Sequence, residues 1–178
     1  TDKPGKLAWV SDLSPKPPDV FLLNRGDYKA HAEKVQPAVL MALSEPGNPL
    51  DLSSTSAVLK STTGRRLAFA RWLTRPDSKA SALLARVTVN RVWQRHFGTG
   101  IVTTSDNLGL SGALPTFPKL LEWLASEFSQ PAKEVAGDWS LKHLHRLILT
   151  SALYRQSSHP RLTARKVDPD NRLLWQYS

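Results

Sequence analysis

Ser140-Leu141-Lys142-His143-Leu144-His145-Arg146-Leu147-Ile148-Leu149-Thr150-Ser151-Ala152 is the stretch whose periodicity decides the fold class. At about 100° per residue Leu141, Leu144, Ile148 and Ala152 share one stripe, the signature of a helix that buries one face. Asp138 or Ser140 supplies the start, because a short oxygen-bearing side chain accepts from the first free backbone amides. The pattern runs to about Arg155. His145 lies in the middle of the stripe and Arg155 at its edge, whereas His143 points to the opposite side, so the two histidines cannot hold one metal ion from a regular helix. His145 reads either as an acid–base group or ligand, or as a core histidine hydrogen-bonded to a neighbour. His145 and Arg155 are accordingly expected as buried polar residues.

Moving towards the N-terminus, Thr116 is placed to cap a helix through Phe128 with Leu120, Leu121, Leu124 and Phe128 on one face. Another helix is expected from Ser81 to Phe97, stopped by Gly98, with His96 at the negative end of its dipole. On it Asn90 occupies a position between Leu83, Val87 and Phe97 where an aliphatic residue is expected. A buried amide must satisfy both ends, so Asn90 is read as a clamp on a loop or a facing helix. The segment Val87–Val92 also alternates like a strand. Thr62 or Thr63 can cap a further helix to about Thr74, ended by Arg75-Pro76. Trp72, Trp93, Trp123 and Trp139 accompany these helices as expected core anchors.

Between the helices, residues 98–118 carry several Gly and Pro and form a long Gly-rich loop. Residues 1–60 hold seven of the thirteen prolines and read as an extended arm. Its apolar runs Leu7–Val10 and Val20–Leu23 are expected as short strands, and Asn24-Arg25-Gly26-Asp27 as the turn closing the second. The stretch from Glu45 to Ser61 reads as a linker. The fold class is therefore mainly α, a bundle-like helical domain (61–178) preceded by an arm with a short β-hairpin character (1–60).

The chain has no cysteine, which excludes disulfides, thiolate zinc sites, iron–sulfur clusters and covalent haem attachment. Its composition, 40% apolar and 22% charged, is that of a folded globular protein. Apolar runs are too short for a membrane span, and Thr1–Val10 does not read as a secretory leader. Net charge is +9 and uneven: residues 61–105 carry eight basic side chains against one acidic, and residues 139–166 six against none. These blocks flank an acidic one, a layout that suits an anionic partner or internal pairing.

Motif chemistry is sparse. The five histidines show no H-x-x-x-H or H-E-x-x-H spacing, and no G-x-S-x-G elbow or phosphate loop is present. No cofactor or metal is expected on this chain. Asp106 with Asn107 can serve as a base or cation ligand, or can form an Asx turn that organises the Gly-rich loop. Ser105, Asp106 and His145 form a hydrolytic set only if the fold brings them together.

The motifs Arg65-Arg66-Leu67-Ala68, Trp72-Leu73, Val89-Asn90-Arg91-Val92-Trp93-Gln94 and His96-Phe97-Gly98-Thr99-Gly100 occur in that order. Thr104-Ser105-Asp106-Asn107, Trp123-Leu124-Ala125, Trp139-Ser140-Leu141-Lys142 and Leu144-His145-Arg146-Leu147-Ile148 follow. The set closes with Tyr154-Arg155-Gln156-Ser157-Ser158 and Asp168-Pro169-Asp170-Asn171-Arg172-Leu173-Leu174-Trp175. It resembles the planctomycete secreted domain of unknown function often called PSD-one. The resemblance implies an extracytoplasmic (periplasmic or secreted) setting, cytochrome-c-like and companion domains as partners, and a role in extracellular polymer use. Thr116-Phe117-Pro118 stands where that family usually has Thr-His-Pro. The family domain also usually continues beyond Leu-Leu-Trp, so the domain is expected to be incomplete at Ser178.

Three functions compete. The leading one is a non-catalytic module that binds a partner domain or an anionic polysaccharide through Arg65, Arg66, Arg71, Arg91, Arg95 and Arg146. A hydrolase requires Asp106 and His145 to converge. Nucleic-acid binding suits the high pI, but the basic residues follow no recognition-helix pattern and the implied setting argues against it.

Overall fold

The computed structural model describes residues 17–46, 50, 62–132 and 137–177. It is mainly helical, with an N-terminal two-stranded antiparallel hairpin: β1 (Val20–Leu23), β2 (His31–Val35), α1 (Arg65–Leu73), α2 (Lys79–Phe97), α3 (Pro118–Ser129), α4 (Leu141–Thr150) and α5 (Leu162–Val167). The chain divides into two compact units, residues 1–73 and 74–178.

In the first unit, Val20 pairs with Val35 and Leu23 with His31. The expected turn at Asn24–Asp27 is thus a hairpin turn that joins Val20–Leu23 to His31–Val35. Leu7–Val10 and most of the expected linker lie outside the described residues. Arg25 and Gly26 supply the left-handed backbone of the turn (φ 50° and 80°), which glycine adopts without steric cost. The Phe21 and His31 rings stack at 4.7 Å across the strands. Both strands are largely exposed, so the hairpin contributes little core. Ala68 and Trp72 are the buried residues of α1.

The second unit holds the core. Ser78 caps α2, its Oγ accepting from the Ser81 amide at 3.1 Å, so the helix starts two residues earlier than its sequence suggests. Gly98 ends it at φ 77°. Ala85, Val89, Val92, Trp93 and Phe97 bury one face of α2 together with Asn90. Leu83 is 37% exposed, so the core face is rotated away from the Leu83–Val87 side. Leu121, Leu124, Ala125 and Phe128 form the matching face of α3, and Leu144 and Ile148 that of α4. Arg86 joins Glu122 through two bonds of 2.8 and 2.7 Å, tying α2 to α3, and this guanidinium holds the Glu122 carboxyl below its usual range.

Several expectations are corrected. Trp123 is 52% exposed; it lies about 200° from Leu121 around α3, and helical phase outweighs its hydrophobicity. Thr116 caps nothing: its amide donates to the Ile101 carbonyl at 2.9 Å, and Pro118, which lacks an N–H, opens α3 after Phe117. The last stripe is shorter than expected. Ser140 caps α4, accepting from the His143 amide at 3.2 Å, but the helix ends at Thr150 with Ser151 extended at ψ 150°. Arg155 therefore lies beyond it and is exposed, and so are Leu141 and Ala152.

Candidate functional site

Asn90 is fully buried in the middle of α2. Its Nδ2 donates to the Val102 carbonyl at 2.9 Å, and its Oδ1 accepts from the Val102 amide at 2.8 Å. One side chain thus replaces a strand partner for the loop that leaves Gly98. A longer bond of 3.3 Å runs from Nδ2 to Ser105 Oγ, which itself donates to Gln94 Oε1 at 2.7 Å. Gly100 makes the approach feasible: a Cβ there would stand 2.6 Å from the Val102 carbonyl oxygen and 2.8 Å from Asn90 Nδ2. Farther along, Asn107 Oδ1 accepts from the Gly109 amide at 3.0 Å as an Asx turn, while Thr104 Oγ1 donates to the Asn107 carbonyl and accepts from the Ala113 amide. The loop is rigidly built by its own polar residues.

These bonds decide the fate of the hydrolytic set. Ser105 is held between Asn90 and Gln94. Asp106, whose side chain is 97% exposed, meets Arg91 at 3.4 Å. His145 Nδ1 lies 2.8 Å from His96 Nε2, the rings meeting edge to face. The three groups face different partners and are not assembled. His143, on the side of α4 opposite the apolar stripe, packs half-buried against α3, with Nε2 3.1 Å from Glu127 Oε1. The turn before α4 places α3 against that face: the Trp139 amide donates to the Phe128 carbonyl at 2.8 Å, and their rings lie 5.3 Å apart.

The His96–His145 bond needs one N–H and one lone pair, so it tolerates at most one added proton. Tyr154 meets the His96 ring at 5.7 Å, and Tyr177 Oη donates to the His96 carbonyl at 3.4 Å. Burial, and then the neighbouring His145, lower the His96 pKa. The unfolded chain takes up this proton at about pH 6.5, the folded protein only at lower pH. Stability from this residue is therefore complete above about pH 6.5 and declines as pH falls from there until the folded protein is also protonated. Melting temperatures of wild type and His96→Gln from pH 7.5 to 5 check this: the variant should show the shallower acid decline, and an unchanged slope would refute the assignment.

Of the six arginines singled out by sequence, Arg91, Arg95 and Arg146 are exposed on the second unit. Arg91 and Arg95 stand one turn apart on α2. On the first unit Arg66 and Arg71 are exposed and Arg65 is half-buried. Among the described residues no cluster of three or more His, Asp or Glu could hold a metal, and no helix is long and apolar enough to cross a membrane.

The second unit also contains a cavity of about 290 Å³ that sequence reasoning missed. Trp93 and Phe97 of α2, the Thr99–Thr103 turn, Phe117 and the segment Asp170–Leu174 enclose it. Asp168 organises the last wall: its carboxylate accepts from the Arg172 and Leu173 amides at 3.0 and 2.7 Å, and its carbonyl from Trp175 Nε1 at 2.7 Å. Asn171 exchanges two bonds with the Gln176 backbone. Asp168-Pro169-Asp170-Asn171 is a legible turn signal, but nothing in its spacing says that it closes on α2.

No curated protein and no solved structure matches the chain. Residues 65–178 match the family model described as PSD1, protein of unknown function (DUF1553), and the chain belongs to that family.

Proposed function

We propose that the chain is a non-catalytic binding module that docks an anionic polymer or an acidic partner domain through its arginine-bearing surface. The observation that carries this reading is the dispersal of the candidate catalytic groups. Ser105, Asp106 and His145 are each engaged by a different neighbour, and Asp106 and His145 do not line the cavity. Arg95 and Arg146 meanwhile stand exposed, Arg91 makes a long exposed contact to Asp106, and the chain bears +9. Exposed guanidinium groups recognise carboxylates and sulfates as planar, paired donors. The family resemblance adds the setting: an extracytoplasmic protein whose cytochrome-c-like or companion domains are further candidates for the docked surface.

The test is a thermal-shift and binding series with carboxylated and sulfated polysaccharides, with DNA as control, at low and high salt. Binding at low salt should weaken as salt rises, and Arg91→Gln with Arg95→Gln should weaken it about tenfold at low salt. Two exposed side chains leave the core intact, so the melting temperature of the double variant should be unchanged. Absence of binding to every polyanion at low salt, or indifference to the arginine changes, would overturn the reading. Tighter binding of DNA than of any glycan would favour a nucleic-acid module instead.

A further inference from the structure

We infer that the cavity between α2, Phe117 and Asp170–Leu174 is the seat for one carboxylated sugar ring, a uronate unit. The inference rests on the binding-module reading and names the ligand class of a shaped site within it.

The volume, about 290 Å³, lies just below the range for ligand pockets, about 300–1,000 Å³, and so suits at most a single ring. Half-buried Phe117 lines it beside the nearly fully buried Trp93 and Phe97, and aromatic surface suits the C–H face of a pyranose. Thr103, Thr116 and Asp170 are among its lining residues, residue types whose hydroxyl and carboxylate groups are the donors and acceptors that sugar hydroxyls need. Arg172 supplies the charge recognition, because a guanidinium binds a carboxylate through two parallel bonds. No ion pair joins Asp170 to Arg172 among the described residues, so each is left to the ligand.

The charge balance narrows the class. One guanidinium beside one carboxylate suits a singly charged, hydroxyl-rich ligand that sets its carboxylate on Arg172 and hydroxyls towards Asp170, whereas a phosphate dianion carries twice the charge against Asp170 and has no such hydroxyls. A zwitterionic amino acid would use Asp170 and Arg172 but leave the threonine hydroxyls unmatched.

The wall that carries the two charged residues is held by geometry a plain surface turn does not need. Asn171 and Leu174, both lining the cavity, adopt left-handed backbone at φ 53° and 52°. Asparagine tolerates that region, but a leucine there is an outlier. Such strain persists where surrounding bonds over-determine it, characteristically at ligand walls. Here the bonds from Asp168 and Asn171 do so. The Arg172 and Asp170 side chains are exposed and make none of these bonds, so replacing them spares the wall.

The experiment is calorimetric titration of the full chain with glucuronate, glucose, alanine, a uronate oligosaccharide and dextran sulfate, at low and high salt. Glucuronate should bind at high salt, at least about tenfold more tightly than glucose or alanine. Arg172→Gln should lose about tenfold for glucuronate while dextran sulfate binding at low salt stays unchanged. Asp170→Asn should weaken glucuronate and glucose alike, a second reading independent of the arginine. Tighter binding of the oligosaccharide than of glucuronate identifies a polymer unit as the occupant, and equal binding identifies the free sugar acid. Equal affinity for glucose and glucuronate, or stronger binding of alanine, overturns the uronate assignment. Binding of dextran sulfate with no monosaccharide bound overturns the seat and leaves the binding module standing. Silence from every ligand at both salts overturns both.

Discussion

Asn90→Ala should lower the stability of the chain by about 3 kcal/mol, because it strands two buried backbone groups at once. The Val102 amide and carbonyl both take their partner from this one side chain, and Val102 is itself buried. Each buried polar group left without a partner costs about 1–3 kcal/mol, and the loss of side-chain volume at a fully buried position adds to this. Asn90→Asp sharpens the reading. It keeps an acceptor for the Val102 amide but sets a carboxylate oxygen against the Val102 carbonyl, so it should cost at least as much near neutral pH. Urea unfolding followed by circular dichroism measures both. An Asn90→Ala loss below about 1 kcal/mol would mean that water or a relaxed loop replaces the amide.

How far the sequence reaches is clearest at this residue. That a polar side chain on an apolar helical face must clamp something follows from its position alone. That the clamp closes on Val102 does not, because the loop after Gly98 has no periodicity to fix where it returns. The same boundary separates His145 from its partner. Its place near the apolar stripe is legible from spacing, but His96 is 49 positions away and is met only once α2 and α4 are packed. Trp123 shows the opposite failure, a large apolar residue assigned to the core although its phase on α3 places it outside. Arg155 leaves the stripe because the chain turns at Ser151, whose hydroxyl accepts from the Tyr154 amide at 3.1 Å. The apolar faces of α3 and α4, the Ser140 cap and the Gly98 stop are therefore readable from local pattern, whereas the Ser78 cap, the Thr116 amide bond and the contacts made by irregular segments are not. The cavity belongs largely to that second category, since apart from Trp93 and Phe97 of α2 its walls are a glycine-bearing turn, Phe117 and a loop shaped by Asp168 and Asn171.

The clamp should also fail from the other side. Gly100→Ala is expected to cost about 2–3 kcal/mol, within the range for forcing an extra methyl into a packed interior. Its Cβ would stand 2.6 Å from the Val102 carbonyl oxygen and within 2.9 Å of both terminal atoms of Asn90. None of the three can yield freely, because backbone and amide hold one another in place. The strain should therefore be released by breaking the Asn90–Val102 bonds. This gives the pair a signature beyond instability. Once Asn90 is alanine, two of the three obstructing atoms are gone and the bonds are already lost, so Gly100→Ala should cost about 1 kcal/mol less than in wild type. Additive costs in the double-mutant cycle would show that the loop yields without disturbing Asn90, and that glycine is required there only by the Val102 carbonyl. A positive coupling would establish that Asn90 and Gly100 act as one device, the side chain supplying the bonds and the bare Cα the room to make them. Gly100 and its neighbours Ile101 and Thr103 also line the cavity, so both substitutions should loosen that wall and weaken any ligand bound there.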